Sequence, residues 1–205
     1  MIELYTWGTP NGRKISIMLE EIRMPYNVHS VNLGNNEQKT PEFLAINPNG
    51  RIPAIIDTEG PGGRPLTIFE SGAILIYLAE KSGQLLSREP VRRMEALEWL
   101  MFQMAGVGPM FGQLGWFQRN APENQQGLTR YTDESRRLAG VLDQRLGAAE
   151  YLAGEYSIAD IANFTWVGAL PFFKIPLDTL PNLRRWQEAI AARPAVQRGL
   201  TVPAV

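Results

Sequence analysis

Residues 47–56 have the sequence NPNGRIPAII and decide how the first part of the chain is expected to fold. The asparagine, proline and glycine residues in the first four positions are typical of a turn. The apolar run that follows contains Pro53, which lacks an N–H group and is therefore expected at the first residue of a strand or on an edge strand. The stretch predicts the end of a helix, a turn and the start of a β-strand.

Upstream of this turn, the sequence pattern changes from strand to helix and back. The side chains of residues 2–6 alternate as in a short strand, and apolar residues recur at helical spacing over 15–22. A second strand is predicted over residues 26–31. Thr40 and Pro41 are then the expected N-cap and first residue of a short helix.

Downstream, a fourth strand is predicted at residues 66–69, after the turn-forming loop 60–63. A helix follows from Ser71 to Lys81, with Gly83 at its C-terminal end. The order is therefore β-α-β-α-β-β-α. A strand-helix-strand succession implies a parallel pair, and two strands joined by a short loop imply an antiparallel hairpin. The sequence predicts an α/β domain.

Beyond the last predicted strand, helical signals dominate. Residues 87–90 begin a long helix, an apolar stripe runs over residues 128–142, and residues 157–160 fit a capping box. A further stripe over residues 183–190 ends before Pro194. An all-helical second domain is predicted.

The expected organisation is a domain over residues 1–82, a linker over residues 83–87 and the helical domain over residues 88–205. The chain has 205 residues, which suits one large or two small domains.

The composition excludes several classes of function. There is no cysteine, which excludes disulfides, cysteine-based metal sites and a cysteine nucleophile in the protein. The single histidine, His29, excludes a His-rich metal centre, and its place in a predicted strand favours a structural role. The 20 basic and 21 acidic residues give a net charge of -1, which argues against a nucleic-acid partner. We expect no metal and no nucleic acid.

The uncharged residues 99–118 are the one stretch long enough to span a membrane. They include glutamine, glycine and proline residues, and polar groups in lipid are costly. A buried or interface helix is therefore expected, with no membrane partner. The first residues lack the pattern of a signal peptide, so the expected location is the cytoplasm.

Glu70 and Ser71 end the fourth predicted strand and begin a helix. A helix N-terminus presents free N–H groups and binds carboxylates, and the carboxylate of Glu70 could hold an ammonium group. Together they would suit the α-amino-acid end of a ligand. On these residues alone, simple capping of the helix is the stronger interpretation.

The turn at residues 9–12 and the Ile52-Pro53 bond also allow both a functional and a purely structural interpretation. Thr9 and Asn11 lie in a turn before the first predicted helix, where a hydroxyl and an amide could stabilise a thiolate. If the Ile52-Pro53 bond is cis, the backbone of Ile52 could pair with an extended peptide. A capping turn and an ordinary trans bond explain the same residues, and the residues alone favour these simpler alternatives.

Three separated motifs in register nevertheless resemble the cytosolic glutathione transferase family. They are Asn47-Pro48-x-x-Arg51-Ile52-Pro53-Ala54, Glu70-Ser71 and Ser157-Ile158-Ala159-Asp160. Residues 9–12, 69–75 and 108–113 are most similar to the bacterial Nu class of that family, which contains glutathione-dependent disulfide oxidoreductases.

The resemblance implies a thioredoxin-like N-terminal domain, an all-helical C-terminal domain and a homodimer. It also implies a cis bond before Pro53. The backbone of Ile52 would then pair with the cysteinyl unit of glutathione, and Glu70 and Ser71 would hold its γ-glutamyl end.

The resemblance assigns the remaining site residues as well. Gln38 and Arg51 would lie near the glycyl end of glutathione, and Arg130 would reach glutathione across the dimer. Thr9 and Asn11 are expected to contact the sulfur and to act as the catalytic residues, because the family's tyrosine or cysteine has no evident counterpart here.

The function that this resemblance favours is a glutathione-dependent disulfide oxidoreductase. The thiolate of bound glutathione, reduced or released from its disulfide, would attack a small disulfide substrate. One alternative is a glutathione S-transferase or peroxidase that conjugates small electrophiles, with the second substrate selected near Met110, Phe111 and Trp116. Another, of a different class, is a non-catalytic glutathione-binding or interaction module.

Overall fold

The computed structural model describes residues 1–204, which form two compact units. The first unit contains Met1–Gln84 together with residues 192–204, and the second is Leu85–Ala191. Both have their own buried apolar core.

The first unit is built on a four-stranded sheet with the order β2-β1-β3-β4. β1 is parallel to β2, β3 is antiparallel to β1, and β4 is antiparallel to β3. The predicted parallel pair and hairpin are therefore confirmed. The strands are β1 (Ile2–Thr6), β2 (Tyr26–Ser30), β3 (Ala54–Asp57) and β4 (Leu66–Phe69).

Three helices complete the predicted thioredoxin-like order. They are α1 (Pro10–Glu21), α2 (Pro41–Ile46) and α3 (Ser71–Ser82). Proline is the first residue of α1 and of α2, and the preceding Thr9 and Thr40 cap them through their side chains. Gly83 ends α3 with φ 70°, a left-handed conformation that glycine adopts at little cost.

The second unit is entirely helical in its regular structure. Its helices are α4 (Pro90–Phe102), α5 (Gly108–Asn120), α6 (Gln125–Ala148), α7 (Ile158–Val167) and α8 (Pro181–Ala191). The capping box predicted at the start of α7 is present between Ser157 and Asp160. Asp160 also accepts a hydrogen bond from the Trp186 indole at 2.8 Å, which joins α7 to α8.

The uncharged stretch contains the end of α4, a π-helical turn at Gln103–Val107 and most of α5. Its core positions Leu100, Val107 and Phe111 are buried, as expected. Across residues 1–204, no helix combines the length and the apolar character that a membrane crossing requires.

A ninth helix, α9 (Pro194–Leu200), packs against α1 in the first unit. The Ser16 hydroxyl donates to the Gly199 carbonyl at 2.7 Å, and Arg193 makes two hydrogen bonds to the Glu21 carboxylate. The sequence pattern predicted only a stop at Pro194. Pro194 lies just after the end of α8 and is also the first residue of α9. Because proline both ends helices and begins them, the sequence pattern indicated only the end of α8.

The contact between α9 and α1 leaves no room for a side chain at Gly199. A Cβ atom there would lie 2.6 Å from the Ile17 Cα atom, which is backbone and cannot move aside. We expect Gly199→Ala to lower the free energy of unfolding by about 1–3 kcal/mol. Gly140→Ala is the matched control, because α6 has open space at that position, and it should gain about 0.5–1 kcal/mol. Urea unfolding followed by circular dichroism measures both, and equal effects would contradict the close contact.

Candidate functional site

The predicted site residues of the first unit converge on one edge of its sheet. The register pairs Ala54 of β3 with Tyr5 of β1 on one side and with Phe69 of β4 on the other. The start of β3 therefore lies beside the ends of β1 and β4. Pro53 and Glu70, each one residue beyond a paired position, are neighbours at this edge.

The Ile52-Pro53 peptide bond is cis. This confirms what the family resemblance implied and differs from the trans bond that the residues alone favoured. Ile52 and Pro53 are buried, and Ile52 belongs to a small apolar cluster with Val31, Phe43 and Ala54. The packing thus fixes the side chain of Ile52 next to the edge of the sheet.

The side chain of Asn47 holds the turn that leads to this bond. Its Nδ2 donates to the Arg51 carbonyl at 2.6 Å, and its Oδ1 accepts the Asn49 N–H at 2.9 Å. Asn47 is buried, whereas Arg51 is exposed at the surface of the turn.

Gln38 lies beside the same turn, in the short 3-10 segment Glu37–Lys39. The Gln38 carbonyl is 3.0 Å from the Cβ position of Gly50, which allows no side chain there. The Oε1 atom of Gln38 is buried and has no hydrogen-bond partner within residues 1–204. A buried acceptor without a donor is costly, so a ligand N–H group would be stabilised at this point.

Glu70 and Ser71 occupy the N-terminal end of α3. Glu70 is exposed and has φ 70° and ψ 115°, a backbone conformation that is strained for a residue with a side chain. Its side chain makes no capping hydrogen bond to the helix. The simple capping role considered for Glu70 is therefore not what the structure shows, and Ser71 beside it is buried.

Lys14 is a site residue that the sequence analysis missed. It is fully buried, and its Nζ donates to the Ser71 Oγ at 3.2 Å. Burial lowers the pKa of Lys14 to about 7, against the opposing effect of the Glu70 charge. The signal was present: Lys14 lies four residues before Met18, on the apolar face of α1, where a charged residue is unexpected.

Thr9 and Asn11 lie at the N-terminal end of α1. The Thr9 Oγ1 accepts the Gly12 N–H at 3.2 Å, so the capping role considered for Thr9 is realised. A hydroxyl that accepts one hydrogen bond still has its own hydrogen to donate. The first turn of α1 carries no acidic residue, so the positive end of its dipole is not neutralised there.

Arg130 is the one predicted site residue in the second unit. It is exposed on α6 and lines a surface cavity of about 430 Å³. Met110 of α5 and the ion-paired Glu134 and Arg137 line the same cavity. Most of the residues that line this cavity are therefore charged.

The arrangement in the first unit suits an extended anionic peptide. Two helix N-termini, a buried acceptor and an exposed turn surround the edge of the sheet, and helix N-termini stabilise carboxylates and thiolates. Within the part of the chain that the structure describes, no group of three His, Asp or Glu residues is placed to hold a metal ion.

Comparison with known proteins places this geometry in a family context. Residues 1–80 match the model of the glutathione S-transferase N-terminal domain, and residues 103–194 match that of the glutathione S-transferase C-terminal domain. The disulfide-bond oxidoreductase YfcG of Escherichia coli strain K12 is 47% identical over 203 residues, which cover 98% of this chain and 94% of that protein.

Solved structures agree closely with both halves of the chain. A glutathione transferase from Burkholderia graminis, with two glutathione molecules bound per subunit, has a TM-score of 0.95 at 53% identity and covers 98% of this chain and 88% of that one. A glutathione transferase from Pseudomonas putida, with one glutathione disulfide bound per subunit, has a TM-score of 0.95 at 50% identity, and the coverages are 98% and 91%.

The role of Asn47 in the turn can be measured through stability. Asn47→Ala removes two hydrogen bonds and leaves the Arg51 carbonyl and the Asn49 N–H without these partners, which should cost about 1–3 kcal/mol of unfolding free energy. Asn49→Ala, at an exposed position of the same turn, should stay within about 0.5 kcal/mol of the native protein. Thermal unfolding compares the two variants, and an unchanged midpoint for Asn47→Ala would show that the turn does not depend on this side chain.

Proposed function

The chain belongs to the glutathione S-transferase family, and from this premise we propose that it is a glutathione-dependent disulfide oxidoreductase. The nucleophile would be the thiolate of bound glutathione. The observation that carries the proposal is a site with two helix N-termini and neutral donors, suited to a thiolate, in a chain that has no cysteine of its own. The similarity to YfcG supports the choice of disulfides as substrates.

The reaction balances with two glutathiones. The first thiolate attacks one sulfur of a small disulfide, a mixed disulfide forms, and the other half of the substrate leaves as a thiolate that takes up a proton. The second glutathione then attacks the mixed disulfide at the sulfur of the first, which gives glutathione disulfide and the second thiol product. The relatives with two glutathiones or one glutathione disulfide per subunit support a site of this capacity.

We propose a binding position at the edge of the sheet for each of the three units of glutathione. We place the cysteinyl unit along the backbone of Ile52, next to the cis bond. The γ-glutamyl end would lie at Glu70 and Ser71, where the helix N-terminus favours its carboxylate and the exposed Glu70 its ammonium group. The glycyl end would then lie near Gln38 and Arg51.

Thr9 and Asn11 are the groups proposed to stabilise the sulfur as a thiolate. A free thiol has a pKa near 8.5, so only a few per cent is ionised at pH 7. Lowering that pKa by about 1.5–2 units requires roughly 2–3 kcal/mol of preferential binding of the thiolate. A hydrogen bond to a charged group contributes about 1.5–3 kcal/mol, so one or two such donors with the α1 dipole are sufficient.

We also propose a homodimer of the Nu-class type in the cytoplasm, where glutathione is kept reduced. An exposed apolar stripe on α4, formed by Val91, Met94 and Met101, is typical of a subunit interface and supports association. Arg130, exposed on α6, would reach the glutathione of the partner subunit. Light scattering in solution would show twice the mass of the chain.

Conjugation of glutathione to electrophiles, with or without peroxidase activity, is the second candidate. It uses the same thiolate, and the exposed Trp116 and the cavity residue Met110 are apolar surfaces that an aromatic electrophile could contact. Phe111 is fully buried in the core, so it is not part of such a wall.

Turnover on two substrates distinguishes the candidates. With glutathione, glutathione reductase and NADPH, we expect 2-hydroxyethyl disulfide to be reduced well above the uncatalysed rate, and an aryl halide to be conjugated more slowly. Background rates on the disulfide would end the oxidoreductase proposal. A protein that binds neither glutathione nor its disulfide by calorimetry would be the non-catalytic module.

The roles of Thr9 and Asn11 are visible in the pH dependence of turnover. Thr9→Ala and Asn11→Ala should each shift the ascending limb of the pH-rate profile toward higher pH by about one pH unit, because each removes one donor to the thiolate. Thr9→Ser is the matched control, since it keeps the hydroxyl and the helix cap and should keep the native profile. If the profiles of both alanine variants coincide with that of the native protein, these residues do not contact the sulfur.

A further inference from the structure

The amino group of Lys14 is buried in the first unit without being needed to fill space. Lys14 is fully buried on α1, which packs against both α3 and α9. Burying an ammonium group is costly, and an apolar side chain of similar length, such as methionine, would occupy the same volume at lower cost. The cost of burying this charge is reduced by polar partners, among which the structure describes the Ser71 hydroxyl.

The direction of the hydrogen bond to Ser71 connects this buried charge with the candidate site. An ammonium group has three donors and no acceptor, so the Ser71 Oγ accepts from the Lys14 Nζ at 3.2 Å. A serine hydroxyl that accepts from one side directs its own hydrogen away from that donor. Ser71 is the first residue of α3, where backbone N–H groups also favour an anion.

We propose that Lys14 is a positioning residue for the γ-glutamyl carboxylate of bound glutathione: its buried ammonium group fixes the Ser71 hydroxyl as a donor toward that carboxylate and places a positive charge behind it. This inference rests on the proposed function, because it takes glutathione as the ligand of the site. Lys14 acts through Ser71 and does not itself contact the sulfur chemistry.

The protonation state of Lys14 then controls binding. Burial lowers the pKa of Lys14 to about 7 in the free protein. A carboxylate bound at Ser71 favours the charged form and raises this pKa, so binding takes up a proton. A neutral amine has a lone pair that accepts the Ser71 hydrogen and turns the hydroxyl away from the ligand. Affinity for the ligand should therefore be constant well below pH 7 and should fall as the pH rises through the Lys14 pKa values of the free and the bound protein.

The charged surroundings of Lys14 include the carboxylate of Glu70. The Glu70 carboxylate favours the ammonium form. Two pairs among the other titratable groups around α1 neutralise each other: Arg193 pairs with Glu21, and Arg198 pairs with Glu20. The titratable groups on the elements around α1 are Glu3 and Tyr5 on β1; Arg13, Glu20 and Glu21 on α1; Tyr77, Glu80 and Lys81 on α3; and Arg198 on α9, with Arg193 just before it.

Calorimetric binding of S-methylglutathione tests the inference, because this probe has no thiol to ionise. In the native protein, we expect Kd to rise about sixfold between pH 6.5 and pH 8.5, as a one-unit rise of the Lys14 pKa from about 7 on binding requires. Near pH 8, titrations in two buffers of different ionisation enthalpy should show net proton uptake. Lys14→Met should bind about tenfold more weakly at pH 6.5, and its Kd should depend less on pH than that of the native protein, because only the amino group of the probe still titrates.

His29→Gln is the control, because imidazole groups also titrate near neutral pH, and it should keep both the pH profile and the proton uptake. A flat pH profile in the native protein, or proton uptake that disappears in His29→Gln, would overturn the role of Lys14 while the proposed function stands. If Lys14→Met does not fold, Lys14→Arg takes its place, because a guanidinium group stays charged at these pH values and this variant should show less proton uptake than the native protein. If the native protein binds no S-methylglutathione at any pH, the proposed function and this inference both fail.

Discussion

The site depends on one constraint of the sheet: β3 pairs antiparallel with both of its neighbours. Its first residue is therefore held beside the last residues of β1 and β4. The chain leaves β1 to enter α1 and leaves β4 to enter α3, so both helices begin at the edge where β3 starts. A different register of β3 would separate Pro53 from Glu70, and the two helix N-termini would no longer converge with the exposed turn.

At this edge, two hydroxyl groups are used in the same way. The Thr9 hydroxyl accepts the N–H of Gly12, and the Ser71 hydroxyl accepts from Lys14. Because each hydroxyl oxygen accepts a hydrogen bond from a protein donor, its own hydrogen points away from that donor. In the proposed complex the two hydroxyls meet a thiolate and a carboxylate, the anionic groups for which helix N-termini are suited. In this proposal, the protein stabilises a reactive sulfur that belongs to the ligand, because the protein has no cysteine.

The sequence could predict the order of helices and strands because caps and apolar patterns act locally. Thr40 with Pro41, the capping box at Ser157 and the helical stripes act within a few residues of where they stand, and the structure confirms them. The isomer of the Ile52-Pro53 bond has no such local signal, so the residues alone favoured trans, and only the family resemblance implied cis. Lys14 was missed because a pattern of apolar and polar residues counts lysine as exposed, whereas here tertiary packing buries it beside Ser71.

The central claim is that the site ionises the sulfur of a bound tripeptide. The most direct test is a titration of the thiolate absorbance near 240 nm in the protein saturated with glutathione, after subtraction of the free protein and free glutathione. We predict a midpoint for the bound thiol of about 6.5–7, well below the value near 8.5 of an unperturbed thiol. A bound thiol that still titrates near 8.5 would contradict the account.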